Sequence, residues 1–429
     1  MDKRMEKIQE EYGKILREEL VPAMGCTEPI SIAYAAAKVR QTLGSLPDRV
    51  DILASPNIIK NVKSVIVPNT GSLRGIAAAA VAGMVAGQAD AELQVLSHVT
   101  PEQIQKIALG MEHIKCTVTP AENGFLFYIS ITAYQKEHSA KVEIAGSHTN
   151  IICIQKDGTT LFQKEYKEEG KSYQTDRSIL NIKDILQYAD TVPLEQVEDI
   201  IERQISYNTA IAEEGLRNNW GANIGSILLR SYGNSVHNRA KAYAAAGSDA
   251  RMSGCEMPVV INSGSGNQGL TASLPVIVYA EELNVSKEVL YRALILSNLV
   301  TIHLKTGIGP LSAYCGATSA GCGAGAGIAY LYGGRYHEIS HTIVNALAIN
   351  SGMICDGAKP SCAAKISSAV EAGLLGMQME SHDRQFYGGE GIVVKGVENT
   401  IRNVGELARD GMKETDKLII HLMTDQILS

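Results

Sequence analysis

From Val192 onward, apolar residues recur at helical spacing with almost no strand alternation, so this half of the chain is constrained to fold as packed helices. Helices are predicted over 194–206, 208–217, 221–232 and 236–246, with five or six more before the end. Neither an internal repeat nor a low-complexity tail interrupts the pattern. Residues 191–429 are therefore expected to form one helical domain of roughly 200 residues, a usual domain size.

The first part of the chain reads differently. Residues 49–87 give a strand (VDILAS), a short helix, a second strand (SVIVPN), a turn at Asn69-Thr70-Gly71 and an alanine-rich helix. Between about 91 and 156 come AELQVLSHV, a helix at 101–111, and then KCTVTP, FLFYISITAY, KVEIAG and TNIICIQK, whose alternation predicts paired strands. Residues 157–170 are polar and carry DG and EEG turn signals, which predicts a hairpin or connection near a domain border. The expected class is α+β: a smaller α/β region over 1–190, with its sheet at about 91–156, and a mostly helical domain over 191–429.

The chain opens with an amphipathic helix, its apolar face set by Met5, Ile8, Tyr12, Ile15, Leu16 and Leu20, and not with a secretory leader. The longest small-apolar stretch, 76–87, is too short for a bilayer, which takes ~20 residues. A cytoplasmic protein is expected. The 39 basic and 46 acidic residues contain no long basic run, which argues against a nucleic-acid partner. Only 5% of residues are aromatic while 40 are glycine, so helices are expected to pack by close backbone approach.

Three local motifs compete for chemistry. His337-Glu338-Ile339-Ser340-His341 matches HExxH, in which two histidines one turn apart bind zinc. It follows Gly333-Gly334-Arg335-Tyr336, at what should be an exposed helix start, and the extended form fails at Val344 and Leu347. Gly264-Ser265-Gly266-Asn267-Gln268-Gly269 spells GxGxxG, yet Pro275 should break the long helix that a dinucleotide fold needs. Two readings of NSGSGNQG remain: a backbone concavity for a carboxylate or phosphate, or a glycine loop that lets helices pack closely.

The third motif is the cysteine group Cys315, Cys322, Cys355 and Cys362. On a helix, Cys315 and Cys322 lie about 10 Å apart along the axis, whereas ligands of one metal sit ~2.3 Å from it. The loop from Cys355 to Cys362 contains Gly357 and Pro360, so its ends can converge; with one helix cysteine it offers three thiolates and leaves a metal one open position. Buried inert cysteines are the alternative. Near the other end, Thr27 can cap a helix that begins Glu28-Pro29, which puts Cys26 where a helix dipole favours thiolate. A buried small residue is the other reading of Cys26.

These stretches together resemble the iron–sulfur L-cysteine desulfidases, relatives of the iron–sulfur L-serine dehydratase α-chain. The likeness spans nearly the whole chain. It is carried by GCTEP (25–29), SPNIIKN (55–61), VPNTG (67–71), GSHTN (146–150), SDARM (248–252), NSGSGNQG (262–269), LSAYCGATSA (311–320) and SGMICDGAKPSCAAK (351–365). The resemblance implies a [4Fe-4S] cluster on Cys315, Cys355 and Cys362, with Cys26 as base and substrate contacts at Asn69, His148, Asn267, Gln268 and Lys365. It implies β-elimination of L-cysteine to sulfide, pyruvate and ammonia by the helical domain, and leaves a homodimer open. Two departures stand out. Asn69 occupies a position where the family commonly has glycine. The dehydratases space their last two ligands more widely and supply a C-terminal cysteine, whereas this chain ends Ile427-Leu428-Ser429, which points to the desulfidase branch. L-Serine dehydration and a pyridoxal-phosphate lyase using Lys365 or Lys359 are the rival activities.

Overall fold

A computed structural model describes residues 3–166, 175–309 and 312–424. The EEG turn at 168–170, Leu311 and the chain end at 427–429 lie outside the described residues.

The N-terminal part runs α1 (Lys3–Glu19), β1 (Pro22–Met24), α2 (Thr27–Leu43), β2 (Arg49–Ala54), α3 (Pro56–Val62), α4 (Gly75–Ala86) and α5 (Pro101–His113). Five strands follow: β3 (Lys115–Pro120), β4 (Tyr128–Gln135), β5 (His138–Ala145), β6 (Ile151–Lys156) and β7 (Thr159–Gln163). The sheet order is β3-β2-β4-β5-β6-β7, with β2 parallel to β3 and antiparallel to β4. Asp157-Gly158 turns β6 into β7, the expected hairpin.

SVIVPN, expected as a strand, is not one. Both sides of β2 are already taken, by β3 and β4, so no seat is left beside it. The segment instead closes on itself, with an Ile66–Arg74 bridge and a Val67 N–H donating to Leu73 O at 2.9 Å. Asn69 lies in that turn at φ +58°. This is the left-handed region that glycine enters freely and asparagine tolerates. AELQVLSHV likewise forms a 3₁₀ turn over Ala89–Gln94 instead of a strand.

The rest is helical: α6 (Ile182–Thr191), α7 (Glu198–Arg217), α8 (Ile224–Tyr232), α9 (Val236–Met252), β8 (Pro258–Val260), α10 (Gly266–Glu282), α11 (Lys287–Ile308), α12 (Gly316–Leu331), α13 (Tyr336–Asn350), α14 (Cys362–Ser381), α15 (Val397–Glu406) and α16 (Lys413–Thr424). The helices expected at 194–206 and 208–217 join as α7, since no helix breaker separates them. Helix α10 runs through Pro275, against expectation. It is buried along nearly its whole length, and that packing outweighs the ~3 kcal/mol penalty of an internal proline. Among the described residues, no helix is long and apolar enough to cross a membrane.

Apolar packing does not divide at residue 190. One cluster joins Ile8, Tyr12, Ile15, Leu16 and Leu20 with Leu180 to Val192 and the helical half. The other holds α2, α4 and the sheet together. The N-terminal helix thus packs on the C-terminal half, because its apolar stripe finds a partner in α6 and α11. The chain then crosses to the sheet unit and returns.

Candidate active site

Two short pairings bring distant segments together. Strand β1 pairs with β8, and Ile261 N–H donates to Val21 O at 3.0 Å, which lays the Gly25-Cys26 turn beside the 262–265 loop. The Thr27 hydroxyl then donates to Gly264 O at 2.9 Å, so Thr27 ties the two loops instead of capping α2 as expected. Cys26 itself is the N-cap residue and is buried.

The second pairing is an antiparallel bridge between Tyr314 and Ile354. Cys315 N–H donates to Met353 O at 2.9 Å and Cys355 N–H to Ala313 O at 2.6 Å, so the two cysteines flank one bridge. The 355–362 loop curls back as its glycine and proline predict. Asp356 holds both Lys359 and Lys365, and the Lys365 ammonium also donates to Ile354 O at 2.8 Å. Gly357, at φ +91°, sits so close to Lys60 that a Cβ would fall 2.6 Å from its carbonyl oxygen. Cys362 is the first residue of α14.

Helices α12 and α14 start at this cavity and cross nearby with backbones in contact. A Cβ on Gly373 would meet Gly321 O at 2.2 Å, and one on Gly321 would meet Ala369 O at the same distance. The crossing sets how far apart Cys315 and Cys362 can stand. Gly373→Ala should cost ~1–3 kcal/mol by overpacking. A lowered urea midpoint, with fewer metals bound per chain after anaerobic loading, would check it.

Cys26, Cys315, Cys355 and Cys362 line one cavity of about 120 Å³, several times the ~10–15 Å³ that admits one water. Asn267, Gln268 and Lys365 line it too. Cys322 does not; it is buried inside α12, away from the other three. Four helices begin here, with Cys26 capping α2, Ser265 capping α10, Cys315 capping α12 and Cys362 opening α14. Their unpaired N–H groups and dipoles favour anions. Three buried lining atoms have no hydrogen-bond partner: Asn61 Oδ1, Gln268 Oε1 and Arg251 Nε.

Burial pushes the Cys26 thiol up to about 12, against the opposing pull of the Arg251 guanidinium. Burial, and then the neighbouring Cys355 thiol, push Cys315 to about 12 as well. Lys305 is buried behind the group and driven down to about 8 by desolvation, with Cys355 and Cys315 acting in the opposite sense. Thiols crowded in this way bind a cation by giving up their protons to it.

The remaining expected residues divide. His148 lines an adjoining cavity that shares Glu28, Ser265 and Gln268 with the first. Its ring stands edge-on to Phe127 at 4.8 Å, and burial lowers its affinity for a proton. Asn69 is buried with its amide donating to Leu96 O at 2.7 Å, and lines neither cavity. Sequence reasoning did not single out Arg251, Lys60 or Lys305. A usable signal existed for Arg251: with Asp249 it is the only charged residue in the small, apolar run 242–252. At the HExxH segment the structure adds a third group, since His337, His341 and Glu380 offer ligand atoms within 4.8 Å of one another. His337 is exposed there, and Glu338 is engaged in capping, accepting from Arg335 N–H at 2.7 Å.

The family model described as serine dehydratase alpha chain matches residues 90–421. The chain belongs to that family. Relatives named UPF0597 proteins extend the likeness to the N-terminal Cys26 segment. That of Desulfitobacterium hafniense (strain Y51) is 55% identical over 426 residues, covering 99% of each chain. Those of Lachnoclostridium phytofermentans and Finegoldia magna are 50% and 47% identical, covering 95% and 97% of this chain and 98% and 99% of their own. A serine dehydratase is a lyase, and this coarse class comes with membership of the family.

Proposed function

We propose that the protein is an iron–sulfur lyase that eliminates sulfide from L-cysteine, with Cys315, Cys355 and Cys362 holding a [4Fe-4S] cluster. The observation that carries this reading is the meeting of three thiols at one cavity where four helices begin and three buried polar atoms lack partners. The donor set fits the group: three thiolates, a fourth position left to substrate, and Lys305 and Lys365 to offset their charge. When bound, the cluster supplies a Lewis-acidic iron for the substrate's sulfur.

The chain's own residues do the rest. Asn267 and Gln268 face the cavity from the first turn of α10 and orient the amino acid. Cys26 removes the α-proton as general base, and the lost β-sulfur leaves aminoacrylate, which tautomerises to an imine and hydrolyses to pyruvate and ammonia. The α2 N-terminus and Arg251 both favour the thiolate that this step needs. A pyridoxal-phosphate enzyme is disfavoured by the lysines. Burial works against the charge on Lys365, yet Asp356 holds that ammonium above its usual value, the reverse of what a Schiff-base amine requires.

L-Serine is the second substrate to weigh, since the matched family is named for it. Anaerobically loaded protein should release sulfide from L-cysteine faster than it forms pyruvate from L-serine under the same conditions. Faster pyruvate formation from L-serine would reverse the assignment, and protein that takes up no iron would end it.

A further inference from the structure

We infer that Arg251 is the anchor for the substrate's α-carboxylate, a role that rests on the lyase reading above. The residue lies in the last turn of α9 and is 3% exposed. Its Nη1 donates to Asn267 Oδ1 at 3.0 Å, while its buried Nε has no partner. Among the described residues, Arg251 joins no ion pair, whereas the buried Lys60 is held by Asp416 at 2.5 Å and Arg177 by Glu18 and Glu19.

A guanidinium cannot escape this cost by shedding its proton, and a buried unpaired charge costs several kcal/mol until an anion meets it. A Cβ at Gly266 would fall 2.2 Å from Arg251 Nε and 2.6 Å from its Cζ, so glycine at the first position of α10 is what lets the guanidinium lie against the helix start, at the wall of the cavity that it lines. The N–H groups at the starts of α2 and α10 add to the positive field on the same side.

The position selects which anion it is. The loop that carries Cys355 and Cys362 has its own cation, since Lys365 pairs with Asp356 and donates to Ile354 O at 2.8 Å. Arg251 stands on the Cys26 side: it bonds Asn267, and the Asn267 amide and the Cys26 sulfur each lie 3.7 Å from Met252 Sδ. An α-amino acid carries its acidic hydrogen and its carboxylate on one carbon, so a carboxylate anchor belongs beside the base and away from the sulfur. Arg251 meets this requirement, and a planar fork suits the two oxygens of a carboxylate.

The test uses cluster-loaded protein, anaerobic calorimetry and two thiol probes. 3-Mercaptopropionate carries a carboxylate, and cysteamine carries none. Arg251→Gln should weaken 3-mercaptopropionate on the order of 100-fold while moving cysteamine less than about threefold, and Arg251→Lys, which keeps the charge without the fork, should fall between. Equal losses for both probes, or no loss for 3-mercaptopropionate, would overturn the anchor. If Arg251→Gln does not fold, the comparison rests on Arg251→Lys and on Gly266→Ala, which crowds Nε and should weaken 3-mercaptopropionate selectively. These are binding readouts, so a wild type that binds 3-mercaptopropionate through Arg251 but releases no sulfide would sink the lyase reading alone.

Discussion

Cys26→Ala protein is expected to keep its iron and lose elimination by ~10²–10⁴-fold, the usual contribution of a positioned general base. The side chain is buried at the N-cap position of α2 and lines the same cavity as Cys315, Cys355 and Cys362, so its loss should be felt at the chemistry. The sulfur also packs in one small cluster with Met252, and Cys362 borders it. Two roles are therefore separable by one variant. Iron content and visible absorption equal to wild type, with turnover gone, mark a base. Iron lost together with turnover would make Cys26 a ligand and end the base assignment.

The second large effect concerns the thiols. Cys355→Ala should take up almost no iron on anaerobic reconstitution, because it removes one of the three thiols proposed as ligands, while Cys322→Ala should load normally. Cys322 is enclosed within α12, and its replacement trims only a small apolar contact. Iron and acid-labile sulfide per chain decide the matter; a Cys322→Ala protein without iron, beside a loaded Cys355→Ala, would invert the ligand choice.

The parts of the site that were legible in the sequence are those set by local chemistry. The glycine and proline between Cys355 and Cys362 announce a loop, and helical spacing separates Cys322 from Cys315. The sheet strands at 128–156 were readable because alternation marks a half-buried face. What escaped depends on partners far away in the chain. SVIVPN has strand composition but no vacant edge to join, a competition that no local window records. Strands β1 and β8 are three residues each, too short to show a period, yet their pairing sets Cys26 beside the 262–265 loop. Arg251 lies within the SDARM stretch, and its charge in a small apolar run is a signal, but its meaning comes from burial and a missing partner. Pro275 misled because proline's cost is local, while the packing that overrides it is tertiary.

The cavity's sulfurs stand at both extremities of the polypeptide, one in the first tenth and three in the last third. A ribosome releases Cys26 long before Cys362 exists, so a nascent chain shorter than 362 residues cannot present the complete thiol set. On the proposed function, iron is loaded only once the early and late segments have folded together. A cluster held there would fasten together segments that translation makes far apart in time.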